Sequence, residues 1–75
     1  MAWIKLTKHN FVNVDKITEI MMMQNRDGSH YIKFFISRDD WCTSKCFNQI
    51  EKCEEIFEKL WLAISSNKSI DISEI

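Results

Sequence analysis

The sequence predicts an α+β fold: a three- or four-stranded antiparallel sheet in meander order, with one C-terminal helix packed on one face. Three observations predict it. In the first half of the chain, Trp3, Phe11, Met21, Met23, Tyr31 and Phe35 alternate with Ile4, Leu6, Val12, Val14, Ile20, Met22, Ile32, Phe34 and Ile36, and a period of two belongs to strands. The chain's single glycine, Gly28, follows Asp27 between two such stretches, where a tight connection needs positive φ. Beyond Thr43 the spacing changes to three and four, through Cys46, Ile50, Cys53, Phe57, Leu60 and Ile64, which is the apolar stripe of an amphipathic helix.

Taken in order, Trp3 to Thr7 is a strand, Lys8-His9-Asn10 a polar turn, and Phe11 to Val14 a second strand. Asp15-Lys16 breaks the alternation, and Ile17 and Ile20 are three apart, so a bulge or one helical turn falls at Asp15 to Ile17. Thr18 to Met23 and Tyr31 to Ser37 are the arms of the Asp27-Gly28 hairpin. Arg38-Asp39-Asp40 turns the chain again, and Trp41-Cys42 is a short strand leading to the helix. Thr43 or Ser44 supplies the N-cap hydroxyl, and the helix runs to about Ile64. Glu55 and Lys59 pair one turn apart. Phe47, Ile56 and Leu62 fall at the margins of the stripe or outside it. Residues 1–64 form one domain; residues 65–75 are a polar breaker and an isoleucine-rich tail. With Ile70, Ile72 and Ile75, that tail reads as a short edge strand or a frayed terminus.

Composition narrows the function. A chain of 75 residues, 45% hydrophobic, is near the size at which a lone core is marginal without further support. Net charge is -1, which provides no broad field for a phosphate backbone. No apolar run reaches the ~20 residues of a membrane span, and the opening residues do not form a signal peptide. Three cysteines, an odd count, fit free thiols in a reducing, cytoplasmic setting better than a disulfide framework.

Candidate chemistry is sparse. Cys42, Cys46 and Cys53 with His9 or His30 lack the paired short spacings of structural zinc sites, and buried cysteine serves as a small hydrophobe. Cys42 stands apart, placed near a helix N-terminus that would lower a thiol pKa. Asp39 and Asp40 fit turn chemistry. His9 falls in a polar turn and His30 beside the hairpin turn, so both read as solvated, and nothing marks a nucleophile elbow or a phosphate loop. No catalytic residue, metal ligand, cofactor or small-molecule substrate is assigned.

The arrangement Trp-Ile-Lys-Leu-Thr at 3–7 and Phe-Val-Asn-Val-Asp-Lys-Ile-Thr-Glu-Ile at 11–20, followed by a hairpin, a strand and a helix, resembles the small FlbD-type proteins of flagellar operons. The likeness covers about the first sixty residues and rests on the hydrophobic pattern with Asn13, Asp15, Ile17 and Ile20. It implies a small non-enzymatic regulatory or assembly protein. Ile17 to Ile20 and the Asp27-Gly28 hairpin are also similar in topology to the first half of LytTR-type DNA-binding domains.

One helix covers one sheet face and leaves the other apolar. The sequence therefore points to a non-enzymatic protein-interaction module, a small regulator, assembly factor or inhibitor. Its interface would be Trp3, Phe11, Met21, Met23, Tyr31 and Phe35, and its partner a second copy in a homodimer or a larger protein. Two alternatives stand beside it: a single-stranded nucleic-acid binder using the sheet aromatics with Lys5 and Lys33, and a thiol or zinc site at Cys42 and Cys46.

Overall fold

The computed structural model describes residues 1–74; Ile75, counted above with the tail, lies outside them. The fold is α+β, with antiparallel pairing dominant and one helix. Strands β1 (Trp3–Thr7) and β2 (Asn10–Asn13) form the first hairpin. A single 3-10 turn, Val14–Lys16, follows. Strands β3 (Glu19–Gln24), β4 (His30–Ser37) and β5 (Asp40–Thr43) form the meander. Helix α1 (Ile50–Ser65) and a two-residue strand, β6 (Ile70–Asp71), complete the chain.

The strands divide into two three-stranded sheets, β2-β1-β6 and β3-β4-β5, where the alternation alone suggests one continuous layer. The division occurs at the 3-10 turn. Asn13 Oδ1 accepts from the Asp15 N–H at 3.0 Å, and Ile17 N–H donates to Val14 O at 3.2 Å, so the chain leaves the first ladder before β3 begins. Their inner residues nonetheless meet in one core. Ile4, Leu6, Val12 and Val14 from the first sheet join Ile32 and Phe34 from the second, as the period-two pattern requires. Helix α1 lies against β4 and β3 and contributes Cys53, Ile56 and Leu60 to the same cluster.

The helix begins later than its nearest hydroxyls suggest. Thr43 belongs to β5, and Ser44 is spent on β4. Its Oγ accepts from Ile32 N–H at 3.0 Å and donates to Lys45 O at 2.9 Å, while Ser44 N–H donates to Ile32 O at 2.9 Å. Phe47 and His30 then exchange both backbone hydrogen bonds, at 2.7 and 2.9 Å, so the chain stays extended to Phe47. Gln49 is the N-cap, without a side-chain cap bond. The buried stripe is consequently Cys53, Ile56, Leu60 and Ala63, with Phe57 and Ile64 partly buried beside it. Cys46 is exposed ahead of the helix and Ile50 is 41% exposed at its first turn, whereas Phe47 and Ile56, marginal in the sequence pattern, are core residues.

The tail is an ordered edge strand. It pairs in parallel with β1, Ile4 opposite Ile70 and Lys5 opposite Asp71. Trp3 N–H donates to Ser69 Oγ and Ile72 N–H to Lys5 O, each at 3.0 Å, and Ile72 is fully buried. Asn67 makes the preceding turn possible with φ of 54°. Lys68 N–H closes on Ala63 O at 2.9 Å, a helix C-cap of the Schellman type with asparagine in the usual glycine position. Among the described residues no helix is long and apolar enough to cross a membrane.

Candidate functional site: the outer sheet faces

The β3-β4 connection fixes the register of the meander. Gly28 has φ of 91°, Asn25 N–H bonds Ser29 O at 2.8 Å, and Gly28 N–H bonds Asn25 O at 3.1 Å. Asp27 Oδ1 accepts from the Ser29 hydroxyl at 2.7 Å and its N–H at 2.9 Å. The hydroxyl first, then the N–H, hold the Asp27 carboxyl below the usual aspartate value. With the loop pinned, Met23 stands opposite Tyr31, Met21 opposite Lys33, and Glu19 opposite Phe35. Since Ile32 and Phe34 point into the core, these residues share the outer face.

The six interface residues read from the sequence thus separate into two groups. Met21, Met23, Tyr31 and Phe35 come together on the outer face of β3-β4-β5. Trp3 and Phe11 lie on the other sheet, 43% and 56% exposed. There they border an open depression of about 390 Å³ completed by Lys5, Ser69, Ile70 and Asp71, and the Lys5 ammonium is 5.7 Å from the Phe11 ring centroid.

Trp41 belongs with the first group and escaped the sequence reading. It is directly opposite Phe35 in β5 and 52% exposed. Lys33 extends between the two rings, its ammonium 4.2 Å from the Trp41 centroid and 5.0 Å from that of Phe35. Such cation–π contacts hold the lysine against the sheet rather than out in solvent. The signal for Trp41 was its neighbour: Cys42 packs against the core, so the residue before it in a strand must face outward.

The cysteines are free and scattered, Cys42 partly buried at β5, Cys46 exposed, Cys53 buried in α1. Burial, and then the Asp40 charge, push the Cys42 thiol pKa up. That is opposite to activation at a helix N-terminus, and α1 starts only at Ile50. Among the described residues no three His, Cys, Asp or Glu side chains converge to hold a metal ion. His9 is exposed, whereas His30 is drawn in by its pairing with Phe47 and its Nδ1 is buried without a hydrogen-bond partner. No model of a known protein family, no curated protein and no solved structure matches the chain.

Proposed function

We propose that this chain is a non-enzymatic protein-interaction module, a small regulator or assembly factor, that works through the outer face of β3-β4-β5 and binds a second copy of itself there. The observation that carries the reading is the half-exposed Trp41 beside Phe35, on a hydrogen-bonded meander that also presents Met21, Met23 and Tyr31. Aromatic side chains on a rigid support bury much area for little lost freedom, and methionine, which is flexible and polarizable, repacks to fit a partner's surface. At roughly 25 cal/mol per Å², covering these rings contributes several kcal/mol per chain, comparable with the stability of so small a fold. The resemblance to FlbD-type proteins points to the same non-enzymatic class.

The test is solution mass by light scattering across a concentration series, with Trp41→Ser beside the parent chain. The parent gives the mass of two chains at tens of micromolar, and Trp41→Ser gives one chain with an unchanged far-ultraviolet circular dichroism spectrum. A parent chain that remains monomeric throughout overturns the reading.

A further inference from the structure

We draw no further inference here: the strongest candidate, the open depression on the outer face of β2-β1-β6 bordered by Trp3, Lys5, Phe11 and Asp71, is an unpartnered sheet surface, and nothing in the structure shows what covers it.

Discussion

Ser44 shows how one hydroxyl decides between a helix and a strand. By accepting from Ile32 N–H it extends the pairing of β4 instead of capping α1. Ser44→Ala leaves that buried N–H without its acceptor, and the expected cost is about 1–3 kcal/mol in a urea unfolding curve. The two Asp-x-Ser turns, Asp27 with Ser29 and Asp71 with Ser73, give a pH dependence. In each, the serine hydroxyl and then its N–H lower the carboxyl pKa from 3.8. A lowered folded value stabilises above the unfolded pKa, and that contribution is lost as pH falls through the folded value. Ser29→Ala and Ser73→Ala are therefore expected to be less stable than the parent at pH 7 and to lose less between pH 4 and pH 2, measured by urea midpoints. Among the thiols, Cys46 is exposed while Cys42 and Cys53 are wholly or partly buried with raised pKa values. Iodoacetamide at pH 8 should modify Cys46 first, with the other two following only on unfolding, as read by mass spectrometry.

At the scale of elements, α1 starts with an unused opportunity. Gln49 provides no cap bond, so Gln49→Asp is expected to raise stability by about 1 kcal/mol in the same assay, through a hydrogen bond to the first turn and the helix dipole. Ile72 anchors β6 in the core, and Ile72→Ala should cost about 2–5 kcal/mol. The elements themselves were largely legible in sequence. Strict alternation at Trp3–Thr7 and at Tyr31–Ser37 identified the strands and the inward residues Ile4, Leu6, Ile32 and Phe34, because burial of one face imposes that period. The helix start was not legible. Thr43 and Ser44 have the chemistry of caps, and only their distant partners in β4, Lys33 for Thr43 and the Ile32 backbone for Ser44, hold them in the sheet instead.

For the molecule as a whole, the α+β class followed from local patterns but the division into two sheets did not. A 3-10 turn of three residues at Val14–Lys16 redirects the chain, and nothing local distinguishes it from a bulge within one sheet. The candidate site shared that fate. Side-chain alternation correctly placed Met21, Met23, Tyr31 and Phe35 on one face, since pairing across β3 and β4 is local to a hairpin. Grouping Trp3 and Phe11 with them assumed a single layer, and adding Trp41 required the register of β5, which a shift between Phe35 and Ser37 sets. Destabilisation and loss of self-association should separate accordingly. If the chain pairs as proposed, Trp41→Ser is expected to lower the association constant with little change in unfolding midpoint, whereas Phe34→Ala, in the fully buried core, is expected to cost about 3–5 kcal/mol of stability.

The pairing of Ile4 with Ile70 has a consequence for the order in which the molecule is made. The first strand waits for a partner sixty-six residues downstream, and closing so long a loop is a slow, entropically opposed step. While the chain is still emerging from the ribosome, β1 lacks a neighbour along one edge and the slot for Ile72 stands empty. Native packing is therefore completed only after synthesis has passed that isoleucine, and until then the nascent polypeptide depends on the hairpins and the helix that precede it.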